Sequence, residues 1–292
     1  MTKQLRLILK TMRPRQWPKN FFVLAGLIFD GQLTNFNALF ITLVALVLFC
    51  LASSLIYIIN DITDIETDRL HPNKRKRPLA SGQLSKKTAI VAALFLFILV
   101  FPTSFILNIN FGLIISGYFI LMLAYSLWLK RIPIIDVMVI AAGFVLRVAA
   151  GVVIITITQF SPWLFVATTF LALFIAIGKR RAEIDTLESE ADAHRQVLKG
   201  YSLEMLDQML TIILATTMMT YCLYTFASPI TPGNHVMMLT IPFVIYGLLR
   251  YLYLIRMHHI GGAPEEIVLT DLPMQLAVGL WGLTVIIILY IL

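Results

Sequence analysis

Long, unbroken apolar runs separated by short polar segments leave this chain few folds to adopt. The runs fall near residues 17–33, 36–59, 88–107, 111–129, 134–157, 161–178, 205–226, 236–256 and 273–292. A helix of about 20 apolar residues crosses a hydrocarbon core about 30 Å thick, and these lengths match. Their apolar residues are continuous rather than alternating, so the spans are helices and not strands of a closed barrel. Only 13% of the 292 residues are charged and mean hydropathy is +0.86, whereas soluble domains average about 25% charge. The expectation is an all-α polytopic membrane protein, with about nine transmembrane helices in one bundle and residues 1–292 forming a single domain. No repeat, low-complexity tract or soluble domain interrupts it.

Charge sets the orientation. Of the 23 lysines and arginines, all but Arg147 can be assigned to one side of the membrane. With nine spans, Lys3, Arg6, Lys10, Arg13, Arg15 and Lys19 share that side with the segments near 60–87, 130–133, 179–204 and 257–272. The positive-inside bias makes it the cytoplasmic side of the cell membrane. An even number of spans would put the six N-terminal cations outside, so parity supports the short first run, bounded by Lys19, Asn20 and Asp30. Segment 1–16 is then cytoplasmic, and it is expected to be retained, because no small-residue cleavage site follows and further spans do. The opposite connections, around 107–110, 157–161 and 227–235, hold no Lys or Arg and use the helix breakers Asn108, Asn110, Pro162, Pro229, Pro232 and Gly233. The working face is therefore the inner one. Much of the net charge of +7 is this topology signal, and no nucleic-acid partner is expected. Cys50 and Cys222 both fall inside spans, which supports neither a disulfide framework nor a zinc site.

Chemistry-bearing residues gather in the inner segments. On a helix Asp61, Asp64 and Asp68 stand at i, i+3 and i+7, and Asn60 lies four before Asp64, so their oxygens form one stripe. Such oxygens suit Mg²⁺, which is commonly held by one or two carboxylates plus substrate phosphates. Asp61, Asp64 and Asp68 are the candidate metal ligands; an acidic loop balancing nearby cations is the plainer alternative. Lys74, Arg75, Lys76 and Arg77 follow. Arg grips phosphate through a bidentate fork and Lys as a point charge, so acids and bases together describe a metal–diphosphate site. For any single cation, topology signal or anionic-lipid binding competes with that reading. The second long inner segment opens Lys179-Arg180-Arg181-Ala182-Glu183. Arg147, well inside the fifth run, marks a functional cavity or a buried partner, since a guanidinium in lipid is expensive. Asp136 lies three turns away on the same helix, too far for a direct pair. Trp17, Trp128 and Trp163 read as interfacial anchors; Met218, Met219, Met237 and Met238 as packing residues. His71, His194, His235, His258 and His259 lack metal-ligand spacing, and His258-His259 beside Gly261-Gly262 reads as a surface turn. No phosphate-binding loop, dinucleotide fingerprint or nucleophile elbow is found.

The motif Asn60-Asp61-x-x-Asp64-x-x-x-Asp68, followed by Tyr125-Ser126-x-x-x-Lys130-Arg131, resembles the UbiA superfamily of intramembrane prenyltransferases over essentially the full length. Four further stretches are similar to its phosphoribose-transferring branch: Met12-Arg13-Pro14-Arg15-Gln16-Trp17-Pro18-Lys19-Asn20, Arg69-x-His71-Pro72 through Ala80-x-Gly82, Arg147-x-x-x-Gly151, and Gly178 through Glu183. Ordinary members carry a second aspartate-rich motif after the sixth span; here that place is basic. The resemblance implies Mg²⁺-dependent transfer of 5-phosphoribose from phosphoribosyl diphosphate to a polyprenyl (decaprenyl-like) phosphate, with pyrophosphate released and cell-wall glycolipid synthesis as one outlet. It implies catalytic roles for Asp61, Asp64, Asp68, Lys130 and Arg147. Substrate binding falls to Asn60, Lys74, Arg75, Arg77, Tyr125, Arg131, Lys179, Arg180, Arg181 and Glu183, with Arg13, Arg15 and Lys19 guiding the lipid headgroup. The acceptor phosphate is already anionic at neutral pH, so no dedicated base is required. Two alternatives stand beside this: prenyl transfer to an aromatic or other small acceptor, against which the basic second segment counts, and non-catalytic transport, against which the one-sided placement of polar groups counts. Oligomeric state is open, and a homo-oligomer is compatible.

Overall fold

The computed structural model describes residues 3–71, 74–157, 161–187, 196–227, 235–257, 267–268 and 270–291, and no strand occurs among them. The helices are α1 (Lys3–Thr11), α2 (Ala25–Phe29), α3 (Phe36–Thr63), α4 (Ile65–Leu70), α5 (Lys86–Leu107), α6 (Ile109–Leu127), α7 (Ile135–Ile154), α8 (Pro162–Leu187), α9 (Leu203–Ala227), α10 (Ile241–Met257) and α11 (Leu272–Tyr290). Among the described residues eight helical stretches are long and apolar enough to cross a membrane: α3, α5 to α9, α10 with the 3₁₀ turn before it, and α11. The chain is a multi-pass membrane protein.

The segment expected as the first span, 17–33, is not a regular crossing helix. Pro14–Leu24 winds as a 3₁₀ helix and passes into the five-residue α2. Pro18 inside the run has no N–H to donate and crowds the carbonyl four residues back, which disfavours a regular α-helix there. Buried Asn20 instead donates to Cys50 Sγ (3.3 Å) and accepts from Ser53 Oγ (3.2 Å). A second correction concerns segment 179–204, expected as a loop. α8 runs on to Leu187, with no Gly or Pro after Gly178 to stop it and with Arg180–Glu183 and Arg181–Asp185 pairs one turn apart along it. Likewise α3 and α4 occupy the first part of segment 60–87. Pro72, Asn73, His194, Pro229, Pro232, Gly233, His258, His259, Gly261 and Gly262 lie outside the described residues.

Helix ends follow local chemistry. Ser85 Oγ accepts the Thr88 amide at the start of α5, and Asp271 accepts the Met274 amide at the start of α11. Asn108 Oδ1 takes the amides of Asn110 and Phe111, turning α5 sharply into α6.

The chain divides into two compact units. One comprises Met1–Ala25, Phe36–Leu127 and Leu146–Thr156. Its core gathers Leu7, Met12, Leu55, Ile58, Leu79, Leu84 and Leu96. α3 is its most enclosed helix and packs on α5, α6 and the 3₁₀ segment. α5 presents Val91, Leu94, Phe95 and Ile98 outward, as an element solvated by lipid does. The other unit comprises Gly26–Asn35, Trp128–Val145 and Ile157–Leu292. There α8 lies along α9 and α10 against α11, around Phe174, Ile177, Leu206, Leu210, Leu248 and Ile255.

Candidate active site

In the first unit the acidic stripe forms where α3 breaks. The backbone ladder persists through the break: the Asp64 amide donates to Asn60 O (2.9 Å) and the Asp68 amide to Asp64 O (2.8 Å). Asp61 and Asp68 therefore sit about two turns apart on one face. Both are 2% exposed. Arg77 joins them, its Nη1 donating to Asp61 Oδ1 (3.2 Å) and Asp68 Oδ2 (2.5 Å). Arg13 donates to the same Asp61 oxygen, and Lys74 Nζ lies 4.0 Å from Asp68. Arg77 reaches the acids because its loop folds back: the Ser81 amide bonds Arg77 O, the Leu84 amide bonds Pro78 O, and Gly82 takes φ +74, which a side chain would strain. Arg13 is itself left-handed (φ 53), a costly conformation for a non-glycine residue, and its guanidinium rests 4.8 Å from the Tyr57 ring centroid.

Of the expected site residues, then, the structure brings together Asp61, Asp68, Arg77 and Lys74. It adds Arg13, read from the sequence as a headgroup guide. Asp64 is half-buried at the turn, and among the described residues no three His, Cys, Asp or Glu side chains are grouped so as to hold a metal ion. Asn60 accepts from the Ser126 hydroxyl. Arg75 is exposed, while Lys19 donates to Gln16 Oε1 (2.6 Å). Tyr125 is half-buried on α6. The Asp61–Asp68 pair is chemically suited to Mg²⁺: both hard carboxylates already converge on one cation, the Arg77 guanidinium, and a divalent ion there would be held by them together with substrate phosphates and water. Arg13 and Arg77 keep about a quarter of their side chains exposed, and Arg77 engages the acids through Nη1 alone.

Arg147 belongs to the same unit but not to that cluster. It donates to Asn20 Oδ1 and Tyr118 OH (both 2.8 Å) and stacks on Tyr118 and Phe49. Ser53, which joins this network, precedes Asp61 by eight residues of α3, about 12 Å of rise. One turn beyond Arg147, a Cβ on Gly151 would overlap the Val23 carbonyl oxygen. Arg147-x-x-x-Gly151 thus clasps the 3₁₀ segment: the arginine holds Asn20 and the glycine admits Val23.

In the second unit the basic run on α8 is tied into ion pairs rather than left open. Arg180, 1% exposed, donates from Nε to Asp136 Oδ2 and from Nη1 to Glu183 Oε2, both 2.6 Å. Arg181 donates to Asp207 (2.8 Å) and lies 3.6 Å from Asp185; Arg256 meets Asp207 at 3.3 Å. Tyr201 OH donates to Asp136 Oδ1 (2.7 Å) and accepts the Ile134 amide (2.5 Å). Burial first, and then that bond to Asp136, push the Tyr201 phenol well above its usual pKa, so it stays a donor. Lys179 is half-buried; Lys130 and Arg131 form a 3₁₀ turn just ahead of α7, with Lys130 half-buried and Arg131 exposed. The buried alternative weighed for Asp136 therefore exists, with Arg180 in place of Arg147.

These features describe an integral membrane protein whose buried carboxylate pair is ringed by part-exposed cations. The profile of the UbiA prenyltransferase family matches residues 20–266, and the chain belongs to that family. It is 34% identical to the decaprenyl-phosphate phosphoribosyltransferase of Corynebacterium glutamicum over 97% of this chain and 87% of the relative. It is 35% identical to the protein of the same name from Mycolicibacterium smegmatis, over 94% and 89%. Among solved structures, the UbiA homolog from Archaeoglobus fulgidus bound to GPP and Mg²⁺ superposes with a TM-score of 0.72 at 21% identity, covering 97% of this chain and 99% of that one. At that identity the likeness shows the fold.

Proposed function

We propose that this protein transfers 5-phosphoribose from phosphoribosyl diphosphate to a polyprenyl, decaprenyl-like phosphate and releases pyrophosphate. The whole chain acts as one domain in the cell membrane, with its N-terminus and charged clusters on the cytoplasmic side. The carrying observation is full-length likeness, at 34–35% identity, to relatives bearing that activity's name. In the reaction the bond from the anomeric carbon to the diphosphate oxygen breaks, its electron pair leaving with pyrophosphate, and an acceptor phosphate oxygen bonds to the same carbon. Mg²⁺, when bound, supplies a Lewis acid for the diphosphate, with Asp61 and Asp68 as ligands and Asp64 and Asn60 alongside. Arg77, Arg13, Lys74 and Arg75 neutralise charge growing on the leaving group, where fixed donors help most. Lys130, Arg131 and Lys179 take the 5-phosphate and the acceptor phosphate, Tyr125 lines the site, and Arg15 and Lys19 meet the lipid headgroup. In this reading Arg147, given a catalytic role by the resemblance, and Arg180, Arg181 and Glu183, given substrate roles, act instead as scaffold, which their hydrogen bonds and ion pairs support.

The test is purified protein in lipid nanodiscs with Mg²⁺, given radiolabelled phosphoribosyl diphosphate and polyprenyl phosphate in one arm and a prenyl diphosphate with an aromatic acid in the other. Labelled lipid and pyrophosphate are expected in the first arm only. Product confined to the second arm hands the protein to ordinary prenyl transfer.

A further inference from the structure

Ile134 has φ +69. A β-branched residue is a genuine outlier there, because its Cβ crowds the neighbouring carbonyl, and such strain persists only where surrounding structure over-determines it. The residue stands three positions after Arg131, at the join between the 129–131 turn and α7. Its amide is held by Tyr201 OH at 2.5 Å, and the same hydroxyl donates to Asp136 Oδ1 at 2.7 Å. Asp136 in turn holds Arg180 of α8. Tyr201 closes the 3₁₀ turn Gln196–Gly200, which packs on the Leu129–Arg131 turn; a Cβ on Gly200 would run into the Pro133 ring. One phenol thereby ties the turn bearing Lys130 and Arg131 to the stretch of α8 bearing Lys179 and Arg180.

We propose that Tyr201 is a positioning residue that holds the strained join at Ile134, just beyond the Lys130–Arg131 turn, so that these cations are presented to a substrate phosphate. It touches no reacting atom. It accepts the one amide whose orientation the left-handed Ile134 sets, while Asp136 and Arg180 fix the phenol from the other side. The substrate role of the turn rests on the phosphoribosyl-transfer reading above; the clamp itself does not.

Two readouts separate them. Hydrogen–deuterium exchange across residues 129–135 of the full-length protein in nanodiscs tests the clamp without any substrate. Tyr201→Phe, which removes only the oxygen, should raise exchange there about ten-fold, and adding Ile134→Gly should reverse most of the rise, because glycine adopts positive φ without the Cβ penalty. In steady-state assays Y201F should raise KM for phosphoribosyl diphosphate about ten-fold with kcat within about two-fold, and Y201F/I134G should bring KM back to within about three-fold of the starting protein. I134G alone should leave KM within about two-fold, and it serves as the handle should Y201F insert poorly. Unchanged exchange in Y201F, or no recovery in the double variant, overturns the clamp. A kcat loss that tracks a lower melting temperature at constant KM makes Tyr201 merely structural. Absence of transfer by the unaltered protein overturns the reaction, while exchange still decides the clamp.

Discussion

The Asp61–Asp68 cluster and the Asp136–Arg180 cluster use one chemistry, carboxylate against guanidinium, in two opposite arrangements. In the first the carboxylates are buried and the cations reach solvent: Arg13 and Arg77 show 27% and 25% of their side chains. In the second both partners are closed in, Arg180 at 2% and Asp136 at 0%. A part-hydrated guanidinium can trade a carboxylate for a phosphate at small cost, because water and ligand share its five donors. A buried one cannot, since leaving Asp136 without its counter-ion in a dry interior costs about 3–5 kcal/mol. Exposure of the cation, rather than the existence of the pair, therefore separates a cluster able to exchange partners from one that holds helices in place.

The largest effect expected from this contrast is on stability. Arg180→Ala should lower unfolding free energy by about 3–5 kcal/mol, read as thermal unfolding in detergent, and removing both charges with Arg180→Met and Asp136→Asn should recover most of it. A stable Arg180→Ala protein with a raised KM for phosphoribosyl diphosphate would break the comparison and return Arg180 to the substrate. Next comes turnover. Asp61→Asn should cut it about 10²–10³-fold while the melting temperature moves only a few degrees, because Arg13 and Arg77 can rehydrate when their partner loses charge. Near-full turnover of that variant with Mg²⁺ as the sole metal would remove Asp61 from metal binding.

How much of this could be read in advance follows from the range of the forces involved. Lipid acts on composition, so the eight helices long and apolar enough to cross a membrane among the described residues were legible as apolar runs. The first segment was not, because Pro18 and Asn20 exchange a regular ladder for contacts with Cys50, Ser53 and Arg147, far along the chain. The acidic motif was legible through its helical spacing, and the pairing of Asp61 with Asp68 survives the break at Asp64. Which cation would close on it was not: Arg13 lies 48 residues from Asp61, and nothing local distinguishes it from Arg15. The same blindness hid the fate of Arg180, whose partner Asp136 is 44 residues away. A row of cations on an inner helix end looks alike in sequence whether it is solvated or buried. Ile134 had only Pro133 beside it as a hint of an unusual backbone.

A smaller effect tests how the open cluster is assembled. Gly151→Ala places a methyl against the Val23 carbonyl and should cost about 1–3 kcal/mol, with the 3₁₀ segment displaced from α7. Because Arg13 immediately precedes that segment, turnover should fall more than Asp136→Asn lowers it once each is corrected for the folded fraction. Equal corrected rates would mean that Arg13 keeps its place on Asp61 without the clasp.

The smallest effect concerns Lys74. Its Nζ lies 4.0 Å from Asp68, at the limit of an ion pair, and a third of the side chain is exposed. Such pairs contribute about 0–1 kcal/mol after solvent screening, so Lys74→Gln should leave the melting temperature unchanged. Any loss should appear with the charged donor: KM for phosphoribosyl diphosphate rising no more than about five-fold, and less in added salt, which already weakens exposed charges. Arg77→Gln should do far more, because Arg77 bridges the two buried carboxylates through Nη1 and leaves Nε and Nη2 outside those bonds. Equal losses from the two substitutions would mean that the open cluster works as a diffuse field of positive charge. A wide gap between them, persisting at high salt, would locate its function in the one guanidinium that both carboxylates share.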